Sequence, residues 1–399
     1  MLWTKGMKAP RRKFLALSAA LTASCKKAEV PSESGAHMRP YGERAPQEQS
    51  VRIIRELTKS PGTGSSRTPL HEIYGIITPS ALHFERHHAG VPAIDPATHR
   101  LLIHGLVDRP LSFSLADLKS FPSLSRICFL ECGGNSVGDY SGNHQPTVQG
   151  SHGLLSCSEW TGVKLSRVLA EVGVQPDAQW MIAEGADASM MTRSIPMEKV
   201  LHDAMLVYGQ NGEALRPEQG YPLRLILPGW EGNTNVKWLR RLEFTREPAQ
   251  SAKETANYTE LLPNGQARQF SFVMDARSVI TSPSGGMKLS RKGFHEITGF
   301  AWTGHGKIAR VEVSVDNGQT WALAELQEPV LSLALVRFRF PWRWDGAETR
   351  IMSRCTDETG YVQPTHDELL SVYGPNAGYH YHAIRPWRVL PSGEVVSHV

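Results

Sequence analysis

The C-terminal third of the chain alternates apolar and polar side chains with a period of two, a pattern that extended strands satisfy and helices do not. Between residues 310 and 316, valines alternate with charged or hydroxyl-bearing residues, and Asp316-Asn317-Gly318 follows as a hairpin turn. A second alternating run extends from Val336 to Trp344. Several such strands separated by turns predict an immunoglobulin-type β-sandwich over residues 270–399.

The preceding region, residues 51–265, mixes helical and strand signals. Ser114 to Leu118 is typical of a helix start, and apolar residues from Val163 to Val172 recur at helical spacing before Gly173, a natural stop. Leu223 to Leu227 is a short branched strand. The sequence therefore predicts an α+β domain followed by an all-β domain. Residues 26–50, rich in Pro, Ser, Glu and Gln, are predicted to be a linker.

The first 25 residues are typical of an export signal. Five positive charges precede an apolar run of ten residues from Phe14 to Ala23, which is too short to span a bilayer. Arg11-Arg12-Lys13-Phe14-Leu15 resembles a twin-arginine signal, so a periplasmic location is expected. An ordinary secretory signal is the alternative. Cys25 is a candidate for lipid attachment, although Thr22 stands where a lipobox usually has leucine.

Charge and cysteine content exclude several classes of function. The five N-terminal cations account for more than the whole net charge of +4, so nucleic-acid binding is not expected. No CxxCH motif for covalent haem and no CxxC pair occurs in the sequence. Any electron carrier is therefore expected on another chain.

The segment from Arg126 to Asn135 places a single thiol, Cys132, after a short apolar strand and before Gly133-Gly134. Cys128 lies four extended residues away, roughly 13 Å, so the two thiols cannot readily share a disulfide or a metal. The glycines allow a tight turn and close approach of a ligand. Taken alone, Cys132 is either a buried small hydrophobe or a metal ligand.

Further segments in matching order resemble the sulfite oxidase family of molybdenum enzymes over nearly the whole chain after residue 70. They are Phe84-Glu85-Arg86-His87-His88, the Cys132 segment, Ala183 to Asp187, Gly220 to Arg224 with Pro228-Gly229, Asn235-Val236-Lys237-Trp238, and Val313 to Trp321. The resemblance implies a molybdopterin domain followed by an immunoglobulin-like dimerisation domain. It also implies molybdenum with molybdopterin as the cofactor.

The same resemblance implies roles for individual residues. Cys132 matches the molybdenum thiolate, Arg86 matches an arginine near the metal, and Tyr258 falls at the active-site tyrosine. These three are the candidate catalytic residues. Asp187 and Gln219 equally suit loop caps. The candidate cofactor-binding residues are Phe84, Arg86, His87, His88, Asp187, Gln219, Arg224, Asn235, Val236 and Lys237.

Three positions depart from the sulfite-oxidising members. Val137 stands where those members carry an arginine, His380 corresponds to a second pocket arginine, and Gly150 corresponds to a pocket tryptophan. Each lost charged hydrogen bond should weaken capture of a small dianion by about 1.5–3 kcal/mol. A wider and less basic entrance to the active site suits a substrate that brings its own binding surface.

With these departures, the chain resembles the branch of the family that oxidises sulfane sulfur in thiosulfate oxidation. The implied substrate is a cysteine persulfide on a carrier protein, oxidised by oxo transfer, with electrons passing to a c-type cytochrome. A homodimer or heterotetramer is implied. The alternatives are a sulfite:cytochrome c oxidoreductase and an exported binding protein without cofactor. A methionine sulfoxide reductase fits less well because such members lack the C-terminal sandwich.

Overall fold

The computed structural model describes residues 37–56 and 61–397. The predicted export signal, Cys25 and the first part of the predicted linker lie outside these residues. Residues 37–49 are exposed and contain neither helix nor strand. Within the described ranges, no helix has both the length and the hydropathy needed to cross a membrane.

The N-terminal part contains thirteen of the described strands, arranged in three sheets. The orders are β1-β2-β3, then β11-β10-β7-β6 with β12 paired to β10, and β5-β4-β13-β8-β9. The strands are β1 (Ile53–Glu56), β2 (Gly64–Arg67), β3 (Glu85–His87), β4 (Leu101–Gly105), β5 (Leu111–Phe113), β6 (Ser123–Glu131), β7 (Leu155–Lys164), β8 (Trp180–Gly185), β9 (Thr192–Pro196), β10 (Met205–Gln210), β11 (Glu213–Ala214), β12 (Arg224–Ile226) and β13 (Leu239–Thr245).

Short helices connect these strands. The α-helices are α1 (Leu115–Ser120), α2 (Val148–His152), α3 (Leu165–Val172), α4 (Met197–Asp203), α5 (Ala252–Thr255) and, in the C-terminal part, α6 (His366–Tyr373). The 3-10 turns are Leu70–Glu72, Ser80–Leu82, Val137–Ser141, Pro217–Gln219 and Gly232–Thr234.

Local sequence explains where α1 and α3 begin and end. Ser114 caps α1 in a reciprocal capping box with Asp117, as the helix-start pattern predicts. Helix α3 buries Leu165, Leu169 and two valines on one face and ends at Gly173, whose φ of 66° suits glycine. The first two residues of the predicted helical run belong instead to β7, because they pair with β10.

The C-terminal part is the predicted β-sandwich. Its sheets have the orders β16-β17-β21-β20 and β19-β18-β22-β23-β24, and a small β14-β15 hairpin precedes them. Trp302 and Trp387 are fully buried in its core. The strands are β14 (Glu260–Leu261), β15 (Ala267–Arg268), β16 (Arg277–Ser282), β17 (Gly293–Trp302), β18 (Ile308–Ser314), β19 (Ala322–Leu323), β20 (Glu325–Gln327), β21 (Val336–Trp344), β22 (Thr349–Asp357), β23 (Trp387–Val389) and β24 (Val395–Ser397).

Candidate active site

One cavity gathers every residue that the sequence proposed for the site. Its empty space is about 660 Å³, including the part open to solvent. The proposed residues on its wall are Phe84, Arg86, His87, His88, Cys132, Asp187, Gln219, Arg224, Asn235, Val236, Lys237 and Tyr258. Met191, Gly232, Asn233 and Trp238 complete the lining. Residues more than 170 positions apart in sequence therefore meet at one site.

Cys132 enters the cavity from the end of β6. Pairing with β7 holds β6 along its whole length, and the Cys132 amide donates to the carbonyl of Leu154 at 3.0 Å. A turn follows, in which the Asn135 amide donates to the Cys132 carbonyl at 2.8 Å. A β-carbon on Gly133 would lie 2.8 Å from Glu231 Oε2, so only glycine fits there without displacing that side chain. The turn thus fixes the direction of the thiol.

Glu131 anchors this turn to the sandwich domain. Its buried carboxylate accepts hydrogen bonds from Arg277 Nη1 at 2.6 Å, Trp302 Nε1 at 2.6 Å and Asn135 Nδ2 at 2.9 Å. Arg277 and Trp302 lie on β16 and β17. A buried charge with all its partners in place holds a single geometry, so the sandwich helps to orient the cysteine.

Burial raises the pKa of Cys132, while the Gly134 amide and the Arg86 charge act in the opposite direction. In the isolated chain the sulfur is therefore a thiol. A bound metal cation would remove its proton, because thiolate and not thiol is the ligand. A soft thiolate on a cavity wall suits a soft or sulfur-ligated metal.

Arg224 and Lys237 are two basic side chains on the wall of the same cavity as Cys132. Arg224 donates through Nε to Asn235 O at 3.2 Å and through Nη1 to Gln219 Oε1 at 3.1 Å. Lys237 Nζ lies 3.1 Å from Glu218 O and 2.9 Å from His87 Nδ1. Burial lowers the pKa of Arg224 to about 9 and that of Lys237 strongly. An anionic group in the cavity would reverse this effect, as a phosphate does.

The segment around β3 also lines the cavity. His87 Nε2 is 2.6 Å from Glu85 Oε2, which fixes its ring against Lys237. Burial, together with the charges of Arg86 and Lys253, lowers the pKa of His88 to about 4, so this ring is neutral at physiological pH. Arg86 donates to the carbonyls of Gly64 and His87, which leaves part of its guanidinium for another partner.

Asp187 and Gln219 also make contacts within the protein. Asp187 follows β8, and its carboxylate accepts from the hydroxyl of Ser189 and from the Met191 amide. Gln219 Nε2 donates to Phe84 O at 3.0 Å. Both side chains remain on the cavity wall, so a role as loop cap and a role toward a ligand are compatible for each.

Two neighbouring asparagines behave differently. Asn235 uses its side chain within the turn, accepting from the Leu227 amide at 2.6 Å and donating to Glu231 O at 3.0 Å. Asn233 lines the cavity with buried Nδ2 and Oδ1 atoms that have no hydrogen-bond partner among the described residues. A buried amide without partners costs free energy. Asn233 therefore indicates that a polar ligand belongs in this cavity.

Tyr258 lines the cavity near the thiol of Cys132. Its backbone has a φ of 55°, an uncommon conformation for tyrosine, and its ring lies 4.8 Å from that of Tyr379. The Arg193 guanidinium lies 5.0 Å from the ring centre. Burial raises the pKa of Tyr258, and the nearby Cys132 and Glu231 raise it further. The phenol therefore keeps its proton and can act as a hydrogen-bond donor.

Val137, Gly150 and His380 are not among the residues that line this cavity. His380 instead packs on the cysteine turn, where its amide donates to Gly133 O at 2.8 Å and its Nε2 lies 3.2 Å from Glu231 Oε2. Val137 begins the 3-10 turn after Ser136, and Gly150 lies within α2. None of these three positions therefore places an arginine side chain on the cavity wall, and the imidazole of His380 is paired with Glu231.

His380 should make stability depend on pH. Burial alone would lower the pKa of His380, but the hydrogen bond and charge of Glu231, with Glu260 and Asp275, raise it overall. Its contribution is complete below the unfolded value of about 6.5 and is lost as pH rises through the higher folded pKa. We expect the Tm of the wild type to fall by roughly 1–3 °C more than that of His380→Gln between pH 6 and 9. Parallel Tm profiles, measured calorimetrically, would refute the pairing.

Comparison with known proteins agrees with this geometry. Residues 88–253 match the oxidoreductase molybdopterin binding domain, and residues 268–386 match the Mo-co oxidoreductase dimerisation domain. The chain belongs to the sulfite oxidase family. A nitrate reductase of Ulva prolifera is 32% identical over 62% of this chain and 32% of its own length. The mitochondrial sulfite oxidase of Mus musculus is 31% identical over 73% of this chain and 58% of its own length.

A solved structure shows similarity at the level of the whole fold. The sulfane dehydrogenase SoxCD from Paracoccus pantotrophus is 45% identical, with a TM-score of 0.90, covering 92% of this chain and 96% of that one. The chain spans less than two thirds of the nitrate reductase and of the mouse sulfite oxidase. The predicted fold class, an α+β molybdopterin domain followed by an immunoglobulin-like domain, is confirmed.

Molybdenum with molybdopterin is the cofactor of the family, and the cavity fits it. Cys132 offers a metal thiolate, Arg224 and Lys237 offer charge for a phosphate, and Asn233 offers an amide without a partner. The sequence patterns missed Asn233, because an isolated asparagine in a turn has no distinctive signal. They also missed Glu231, whose contacts with the cysteine turn arise only on folding.

Proposed function

We propose that this protein is the molybdenum subunit of a sulfane dehydrogenase, which oxidises the outer sulfur of a cysteine persulfide on a carrier protein. One observation carries the proposal: beside the Cys132 turn, sulfite-oxidising members of the family have arginines where this chain has Val137 and His380, and His380 is engaged by Glu231. The similarity to a sulfane dehydrogenase over 92% of the chain supports it.

The chemistry divides between the cofactor and the chain. Bound molybdenum supplies two-electron oxidation, in which water provides one oxygen atom to the sulfur and two protons and two electrons are released. Cys132 fixes the metal, and Tyr258 holds a proton at its hydroxyl close to the thiol turn. Arg86 offers a cation to the oxygens that accumulate on the substrate sulfur.

The partners are part of the same proposal. A c-type cytochrome on another subunit accepts the electrons, and the sandwich domain provides the surface for a dimer or for that subunit. The twin-arginine-type signal would deliver the folded, cofactor-loaded protein to the periplasm. A carrier protein then presents its persulfide at the cavity mouth, and hydrolytic release of the oxidised sulfur occurs elsewhere.

Tyr258→Phe should lower kcat by about 10²-fold with little change in KM, because positioned proton donors contribute on the order of 10²–10⁴. The ring stays, so its packing on Tyr379 and Arg193 is preserved. Tyr379→Phe is the matched control and should stay within a few-fold of the wild type. Equal kcat values for Tyr258→Phe and the wild type, measured with oxidised cytochrome c as the electron acceptor, would show that Tyr258 has no role in the reaction.

Steady-state assays with two substrates test the function itself. The cofactor-loaded protein is compared on a persulfidated carrier and on free sulfite, with cytochrome c as acceptor. We expect kcat/KM to be higher for the carrier by at least about tenfold, since two charged contacts to sulfite are missing. Efficient turnover of free sulfite at micromolar levels would instead identify a sulfite dehydrogenase. Protein without molybdenum or pterin would indicate a binding protein.

A further inference from the structure

Glu231 is a buried carboxylate held against the cysteine turn. It lies between β12 and β13, is 1% exposed, and its Oε2 would be 2.8 Å from a β-carbon on Gly133. The backbone of the next residue, Gly232, packs on Cys132. A β-carbon added to Gly232 would lie 3.5 Å from the Cys132 Cα. The negative charge therefore lies beside the thiol and not in the distant core.

Two cations share this carboxylate. Arg193 Nη2 lies 3.2 Å from Oε1, and His380 Nε2 lies 3.2 Å from Oε2. Arg193 is 1% exposed and His380 is 5% exposed, so neither pair is weakened by solvent. Arg193 also faces Glu254 Oε1 at 3.7 Å and lies over the ring of Tyr258. Both of these cations are thus engaged within the protein.

The field of Glu231 extends to the reacting groups. Its charge contributes to raising the pKa of Tyr258, after the larger effects of burial and of Cys132. Glu231, Arg193 and His380 lie behind the cavity wall, so the carboxylate acts on a dianion at the Cys132 turn through its charge and not by contact, while Arg193 and His380 remain paired to it. Like charges close together in a buried site repel strongly, and such juxtaposition is a known source of specificity.

We propose that Glu231 is a specificity-determining residue that excludes small free dianions from the site by neutralising Arg193 and His380. The inference rests on the proposed function and deepens it. A sulfur atom attached to a carrier protein brings at most one negative charge, and the carrier surface supplies binding that a free ion lacks. Such a substrate tolerates a carboxylate that sulfite and sulfate do not.

Glu231→Gln tests the proposal, because it removes the charge and keeps the shape. Arg193 keeps Glu254 as a partner, and Glu260 and Asp275 still favour the charged form of His380, so the variant loses one negative charge beside the turn and should favour anions. In the cofactor-loaded variant we expect kcat/KM for sulfite to rise about tenfold and the sulfate concentration that gives half-maximal thermal stabilisation to fall about tenfold. Sulfate stabilisation is a binding readout that does not depend on turnover.

Asp203→Asn is the matched control, since it removes another buried carboxylate that pairs with Lys199 and Arg126 away from the cavity. Its sulfate response should equal that of the wild type. If Glu231→Gln does not fold, His380→Gln replaces it: losing one cation should weaken sulfate binding below the wild-type level. An unchanged sulfate response in Glu231→Gln, or in His380→Gln where that variant replaces it, would overturn the proposal.

The outcomes separate this proposal from the function on which it rests. A wild type that prefers the carrier, with Glu231→Gln no better on sulfite or sulfate, refutes the role of Glu231 and leaves the proposed function in place. A wild type that already oxidises micromolar sulfite efficiently refutes the proposed function, and with it the need for exclusion. If the wild type prefers the carrier and Glu231→Gln gains kcat/KM for sulfite and affinity for sulfate, the results support both the proposed function and the role of Glu231.

Discussion

Cys132→Ser is expected to abolish turnover, by about 10³-fold or more, in a protein that still folds and retains pterin. A serine oxygen is a harder ligand than the thiolate and a poor match for a metal already bound by sulfur. The substitution should leave the turn in place, because backbone hydrogen bonds and the Glu131 carboxylate fix the turn, and the sulfur does not. The measurement is kcat on the carrier substrate, with molybdenum and pterin quantified on the same sample.

Cys128→Ala controls for the loss of a buried thiol. Cys128 lies on β6, the strand that precedes Cys132, is fully buried, and is separate from the cavity wall. This variant should lose some thermal stability through the small cavity it creates, yet keep molybdenum and most of its activity. Full activity in Cys132→Ser would contradict the ligand assignment, whatever the control shows.

Lys237→Met is the second substitution with a large expected effect, and it acts on cofactor retention. The methionine fills most of the space but cannot form the charged contacts that Lys237 offers to a phosphate. One lost charged hydrogen bond corresponds to about 1.5–3 kcal/mol, or roughly 10–150-fold in affinity. We therefore expect purified Lys237→Met to carry less than about a tenth of the wild-type pterin, measured by fluorescence after oxidation.

Lys199→Met is the control for this prediction. Lys199 is also a partly buried lysine, with Nζ 2.8 Å from Pro228 O and 2.7 Å from Asp203 Oδ1, but it does not line the cavity. Its variant should lose stability and keep pterin. Equal pterin content in Lys237→Met and wild type would show that the phosphate lies elsewhere.

Much of the fold could be predicted because local chemistry determined it. The alternation over Val336–Trp344 reappears as β21, and the turn at Asp316-Asn317-Gly318 connects β18 to β19. Boundaries were less certain where two elements compete for the same residues. Val163 fits the helical spacing of α3, but its pairing with Leu206 places it in β7. Hydrogen bonding to a distant strand determines the secondary structure at Val163, and a local sequence pattern carries no information about that pairing.

The candidate site was predictable where residues cluster in short segments. Arg86, His87 and His88 are adjacent, as are Asn235, Val236 and Lys237, and the structure brings both segments to one cavity. The network behind the thiol was not predictable. Glu131 meets Arg277 across 146 positions of sequence, and Glu231 meets His380 across 149. Such pairs form only when two domains pack, so a single sequence carries no signal for them.

The number of sulfur atoms around molybdenum tests the central assignment most directly. X-ray absorption at the molybdenum edge should show one sulfur neighbour fewer in Cys132→Ser than in the wild type, both purified with their cofactor. The pterin sulfurs remain in each, so the difference reports the protein thiolate alone. An equal sulfur count in the two proteins would show that Cys132 does not bind the metal and would contradict the site described above.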